Sequence, residues 1–459
     1  MSKPVVGLLP LYLRLYDDVV PELRQEMESF AAIIKQELEK RNLKVIAAPV
    51  NCVAAEFAEA VKTLEKHRVE VIVTLHLAYS PSLESAGVLA ATRVPLIMLD
   101  TTPDFEFGFN IDAKRIMSNH GIHGVQDLAN MLIRKEKSFM IEAGHWRNSN
   151  VLDRIIADVK ACLAAEAMKT AVVGIIGSPF SGMGDFAVPF PELEKSIGIK
   201  IIHSNPGLLR TMQPKNTEVE NELRNYSDRF IKDDNISQEC LFRTASTALT
   251  VRNWIEQEKL SAFTFNFMDI DGECGLTTIP FLEASQAMAR GIGYAGEGDV
   301  LTAVLVASLL KIFPDTTFAE MFCPDWKGNR VFLSHMGEVN VNILAAKPHL
   351  TEKDLPFFDA ESPAAAEGIM KSGMAALVNL APGPQGSFSM IVCAGKMQAP
   401  EETAIKGICG WFRPDMQLER MLEEYSQHGG THHLALVYNP DYQIMRQYAK
   451  IMNWNFVIF

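Results

Sequence analysis

Residues 69–77 read VEVIVTLHL, a nearly continuous run of β-branched and apolar side chains. A strand buried on both faces reads this way, and such strands belong to parallel sheets covered by helices. The flanking sequence keeps the same rhythm. Val5–Leu9 is short and apolar. Pro21–Arg41 places Leu23, Met27, Phe30, Ile33, Ile34 and Leu38 at helical spacing. Lys44–Val50 reads as a strand, Ala55–His67 as a helix, Ser80–Ala91 as a helix and Pro95–Asp100 as a strand. This is βαβ alternation, and it predicts a doubly wound parallel sheet. Ligands of such sheets bind beyond the carboxyl ends of strands, which directs attention to 76–81, 100–107 and 144–146.

The amphipathic helix Val151–Ala167 is expected to close the first domain. A second strand series follows at 171–177 (AVVGIIG), 199–205 (IKIIHSN) and 262–267 (AFTFNF), with a polar helical region over Thr217–Lys259. From about Phe313 the chain has more Pro and Gly and shorter strands, and it reads as mainly antiparallel β. The expected fold class is therefore α/β: two doubly wound parallel-sheet domains, 1–168 and 169–312, then a β-rich domain over 313–459. No internal repeat or low-complexity tract is present.

A chain of 459 residues with 48% hydrophobic residues is a multidomain globular protein. Its net charge of −13 and lack of Lys/Arg clusters argue against nucleic acid and anionic membrane as partners. The longest apolar run, Val300–Leu310, is too short to span a bilayer. No signal peptide is read at the start, and the seven cysteines lie singly. The expectation is a cytoplasmic protein with reduced thiols.

Candidate chemistry concentrates in 291–338, GIGYAGEGDVLTAVLVASLLKIFPDTTFAEMFCPDWKGNRVFLSHMGE, with GGTHH at 429–433 downstream. Asp299 suits the N-terminus of the apolar helix that follows it. Glu297 precedes that helix among glycines. Glu320 is alone among apolar neighbours, and a buried carboxylate needs a partner. His335 follows the strand-like VFLSH. His432 and His433 precede Leu434–Tyr438; adjacent strand residues face opposite ways, so one of the two is expected to point into a given site. Glu297, Glu320, His335 and His433 would form a mixed oxygen/nitrogen set suited to a divalent metal with open positions. The Gly-rich segment 174–186 follows a strand but lacks G-x-G-x-x-G, and a tight strand-to-helix crossing explains it better than a dinucleotide site.

These motifs together resemble the L-arabinose isomerase family within the arabinose/fucose isomerase group. The resemblance rests on YAGEGD, TTFAEMF, GNRVFLSHMGEV, GGTHH followed by MRQYA, AFTFNF, GHW at 144–146 and LHLAYSP at 75–81. It implies three domains of the kind read above, assembled as a homotrimer or homohexamer with the active site at a subunit interface. It implies an aldose–ketose isomerase acting on a small-molecule sugar through an enediolate, with Mn2+, or Co2+ or Mg2+, as cofactor. By the resemblance, Glu297, Glu320, His335 and His433 are the metal ligands, and Glu297 and Glu320 also move the protons. Tyr79, His123, Phe267, Met336, Tyr425 and His432 fall on or near substrate-lining positions.

Elsewhere the chain departs from the family. Leu13 and Arg14 stand near a Gln-His pair of the family, and His120 in NHGIHG replaces a Gln. Met183-Gly-Asp-Phe replaces the family's MRNV. The substrate-reading residues, Arg14 and His120 among them, are thus altered, and weak activity on L-arabinose is expected. Arg14 either faces solvent or pairs with Asp17 or Asp18, or else it meets an anionic or extended substrate tail. A non-catalytic sugar-binding or regulatory homologue is the competing reading; retention of all four ligand residues argues against it, since a mere binder has no need for both carboxylates.

Overall fold

The computed structural model describes residues 3–271, 273–354, 359–400 and 402–459. The chain forms two compact units, Met1–Leu163 and Ala164–Phe459.

The first unit is built on a parallel sheet of β1 (Val5–Leu11), β2 (Lys44–Ala47), β3 (Val71–His76), β4 (Leu96–Asp100) and β5 (Met140–Ala143), in the order β2-β1-β3-β4-β5. Every residue of β3 is buried, as its apolar sequence requires. Leu9, Leu11, Ile72 and Met98 of the sheet pack with Phe57, Val61, Leu64, Leu89, Leu128 and Leu132 from the intervening helices. The strand order reverses between β1 and β3, so the carboxyl ends of these two strands part around a crevice.

The second unit joins two sheets. β6 (Val172–Ile176), β7 (Lys200–His203), β9 (Ala262–Phe265) and β10 (Gly293–Ala295) form a parallel sheet ordered β10-β9-β6-β7, and β8 (Ile231–Lys232) lies outside it. The polar region 217–259 is two helices, Asn216–Arg229 and Gln238–Glu258, separated by β8.

The remaining strands are β11 (Thr316–Asp325), β12 (Arg330–Ser334), β13 (His349–Glu352), β14 (Ala364–Ile369), β15 (Gly373–Pro382), β16 (Phe388–Gln398), β17 (Ile408–Pro414), β18 (His433–Tyr438) and β19 (Asn455–Ile458). Six of them, β16-β15-β18-β11-β12-β17, run antiparallel, and β17 pairs back onto β16 to close a barrel. β14, β13 and β8 extend the sheet beyond β17, and β19 adds parallel to β16. The α/β plus β-rich class expected from the sequence is the one found.

Period-2 alternation sorts the barrel residues. Ala319, Val331, Leu333, Leu434 and Leu436 join one apolar core with Leu377, Ile391 and Phe412. Glu320 and His433 therefore project from the opposite face of the barrel wall. The helix Val300–Leu310, every residue of which is buried, packs against β9, β10, β11 and β18. It welds the barrel to the parallel sheet, and the carboxyl ends of β6, β9 and β10 open beside it.

Candidate metal and acid–base site

Glu320 and His433 are directly opposite on antiparallel β11 and β18. On its other side Glu320 pairs with Ser334, the last residue of β12, so His335 follows directly after that strand. Glu297 follows β10 and holds a left-handed backbone, φ 61°. A non-glycine residue is uncommon there, and the cost persists only where the surroundings fix it. Here they do. Its carbonyl accepts from Phe180 N at 2.9 Å, and Gly298 N donates to Phe265 O at 3.2 Å. Gly298 has φ 80°, and a Cβ on it would stand 2.7 Å from Pro179.

These four residues form a chain of close contacts. Glu320 Oε1 is 3.1 Å from His335 Nε2 and 3.0 Å from His433 Nε2, and Glu297 Oε2 is 3.6 Å from His433 Nε2. Glu297, His432 and His433 offer ligand atoms within 4.8 Å of one another. Both histidines thus approach Glu297, contrary to the expectation that only one would. The reason is local: β18 begins at His433, so His432 lies ahead of the strand and its alternation does not apply.

The imidazoles are held from behind. His335 Nδ1 donates to Glu338 Oε2 at 2.6 Å, and His433 Nδ1 donates to Asp299 Oδ2 at 2.9 Å. Glu338 also accepts from Tyr294 Oη at 2.5 Å and from Gly337 N at 2.8 Å. Asp299 caps the helix Val300–Leu310 through Thr302 N at 2.9 Å, as the sequence suggested, and serves His433 with its other oxygen. A carboxylate on Nδ1 fixes the tautomer and leaves Nε2 free for a metal. His433 Nε2 and Glu297 Oε2 are buried without an aligned hydrogen-bond partner, a state that costs free energy unless a cation meets them. The mix of carboxylate and imidazole donors suits a divalent metal.

Electrostatics agree. Burial alone would raise Glu297, but the rings of His432 and His433 hold it at about 2. Burial is outweighed at Glu320 too, where His335 and His433 hold the carboxyl far below its usual range. Burial would lower His335, yet Glu338 and Glu320 lift it to about 10. His433 is raised well above its usual value against burial, by Asp299, Glu297 and Glu320. Three buried carboxylates and the half-buried Glu320 thus demand positive charge, met by protons on the rings or by a cation that displaces them.

Of the expected substrate-lining residues, Phe267 is buried after β9 and packs on Phe180, ring centroids 5.5 Å apart. Met336 is half-buried beside His335. Tyr425 is buried, with its hydroxyl donated to Thr431 O at 2.5 Å. It shapes the turn that presents both histidines, and a Cβ on Gly430 would lie 2.3 Å from its ring.

Tyr79, His120 and His123 cluster with Tyr16 in the first unit, in segments that follow β1 and β3 and open the helix Gly121–Arg134. Tyr16 Oη bonds His120 Nε2 at 2.8 Å. His120 and His123 meet edge to face at 5.6 Å, and His123 meets Tyr79 at 6.4 Å. Arg14 is exposed and lies 3.9 Å from Asp18.

Sequence reasoning missed Glu338, the second function of Asp299, and the loop after β6. That loop is no bare crossing. Phe186 stacks on His433 at 4.8 Å and 9°, and Asp185 Oδ2 accepts from both N and Nδ1 of His432, at 2.9 and 2.7 Å. Its place after a parallel strand was the available signal.

Three family models match the chain: the L-arabinose isomerase N-terminal domain over residues 12–170, the central domain over 207–314 and the C-terminal domain over 315–455. Among curated relatives, the L-arabinose isomerase of Shouchella clausii is 25% identical over 98% of this chain and 92% of its own length. That of Thermotoga neapolitana is 24% identical over 90% and 86%. That of Geobacillus thermodenitrificans is 25% identical over 83% and 79%.

Proposed function

The chain belongs to the L-arabinose isomerase family, and we propose that it is a divalent-metal-dependent aldose–ketose isomerase of a small sugar, with substrate-reading residues of its own. The observation that carries this reading is the convergence of Glu297, Glu320, His335 and His433 with the two imidazoles oriented by Glu338 and Asp299.

Isomerisation moves one proton between adjacent carbons and another between their oxygens, through an enediolate. The metal, Mn2+ in the first instance, would polarise the carbonyl and steady the developing charge. Glu297 and Glu320 do the proton work. Both are held ionised, so one can take the carbon-bound proton while the other moves the hydroxyl proton. Phe186 and Phe318 pack on the ring of His433. His432, half-exposed at the mouth, is placed to meet the sugar. A binder that performs no chemistry has no use for both carboxylates, and this favours catalysis over the regulatory alternative.

The test is a panel of aldoses, methyl-pentoses and acidic sugars incubated with Mn2+-loaded protein, with ketose formation followed. Ketose should form from at least one of them, cease on chelation and return with Mn2+ better than with Zn2+, which favours four-coordinate sites. Absence of ketose from every sugar, or turnover indifferent to chelation, would overturn the reading.

A further inference from the structure

The three histidines of the site are held in one manner. Glu338 takes Nδ1 of His335, Asp299 takes Nδ1 of His433, and Asp185 takes Nδ1 of His432. The first two carboxylates are buried with their rings, whereas Asp185 and His432 are 38% and 39% exposed in their side chains. Asp185 also accepts from the backbone N–H of His432, so a single carboxylate oxygen fixes both the start of the turn and the ring. The ring is left with Nε2 toward Glu297 Oε2 at 3.6 Å, too long for a hydrogen bond and open on the solvent side. Asp185 stands in 171–206, outside the three matched ranges.

We propose that Asp185 is the positioning residue for His432, holding Nδ1 so that Nε2 faces a sugar hydroxyl beside Glu297. This rests on the isomerase reading for its substrate, but not for its geometry. An unheld imidazole at the mouth would sample other rotamers and spend less time facing the sugar. Asp185 therefore acts on substrate binding, and the metal is left to the buried rings.

The experiment compares Asp185→Ala, Asp185→Asn, His432→Ala and the Asp185→Ala/His432→Ala pair in the full-length Mn2+-loaded protein. Asp185→Ala should raise KM about tenfold, the scale of one charge-assisted hydrogen bond, with kcat and Mn2+ affinity little changed. Asp185→Asn keeps an acceptor and should restore most of the loss. In the His432→Ala background, removal of Asp185 should add nothing. Calorimetry with a non-reacting polyol supplies a second readout, in which the affinity should fall in parallel. Unchanged KM and polyol affinity in Asp185→Ala, an equal loss with His432 already removed, or a loss of Mn2+ affinity would each overturn the proposal. A wild-type protein that binds polyol in an Asp185-dependent way yet converts no sugar would sink the isomerase reading and leave the positioning role standing.

Discussion

Glu297 combines a left-handed backbone with a buried carboxyl oxygen, Oε2, that has no aligned hydrogen-bond partner. Both features serve to aim one oxygen. Glu297→Gln and Glu320→Gln keep the shape and remove the charge. Each should lower kcat by about two to four orders of magnitude, with the thermal midpoint little changed; turnover near wild type in either variant would dismantle the proton-transfer assignment. Glu338 gives a different kind of test, because it touches His335 and not the sugar. Glu338→Gln should weaken Mn2+ binding about 10–100-fold, measured by metal titration. An unchanged affinity would mean that His335 needs no orienting partner.

At the scale of elements, β3 and the helix Gly121–Arg134 enclose His76, whose ring is 2% exposed with neither nitrogen hydrogen-bonded. Burial pushes it down to about 3. An unfolded histidine titrates near ~6.5. Between these values the unfolded chain binds a proton that the folded chain refuses. The contribution of His76 to stability is therefore complete above pH ~6.5 and declines as the pH falls, by at most about 1.4 kcal/mol per pH unit. Urea melts at pH 7.5 and 5.0 should show a smaller pH-dependent loss in His76→Asn than in wild type; identical slopes would refute it.

The same elements show what the sequence made legible. β1 and β3 were readable to within two residues because a strand buried on both faces has no polar phase to confuse it. The capping by Asp299 was readable from its position. Closure of the barrel was not, since it depends on β17 returning to β16. Nor was β8, two residues long, whose strand character comes from pairing with β13. At the site, the carboxylate and imidazole residues and their order were visible in the chain. The carboxylates behind the rings were not, because Glu338 and Asp185 acquire meaning only from what the fold sets beside them.

At the scale of the molecule, the first unit exposes Leu15, Val19, Phe105, Phe107, Phe109, Ile116 and Ile122. Their segments are tied together by Tyr16–His120 and by Arg115 and Asn119 on Asp104. Clustered apolar exposure marks an interaction surface. The expected homotrimer or homohexamer would use it, and light scattering should give a multiple of the 51.0 kDa chain. Phe107→Glu with Phe109→Glu should shift the protein toward smaller species; a wild-type monomer with full activity would exclude this role.

The pairing of Glu320 with His433 across β11 and β18 also governs how the gene tolerates changes of length. One residue gained or lost between Thr316 and Glu320 would turn the carboxylate into the barrel's apolar interior. Beyond Met321 the ladder already carries an irregularity, up to Cys323, and it can absorb a slip before the slip reaches Glu320. Reading-frame-preserving insertions should therefore be purged on one side of that irregularity and survive on the other, at the hairpin tip around Lys327–Asn329. The boundary between the two falls within a few codons, though every residue on both sides of it belongs to the same hairpin.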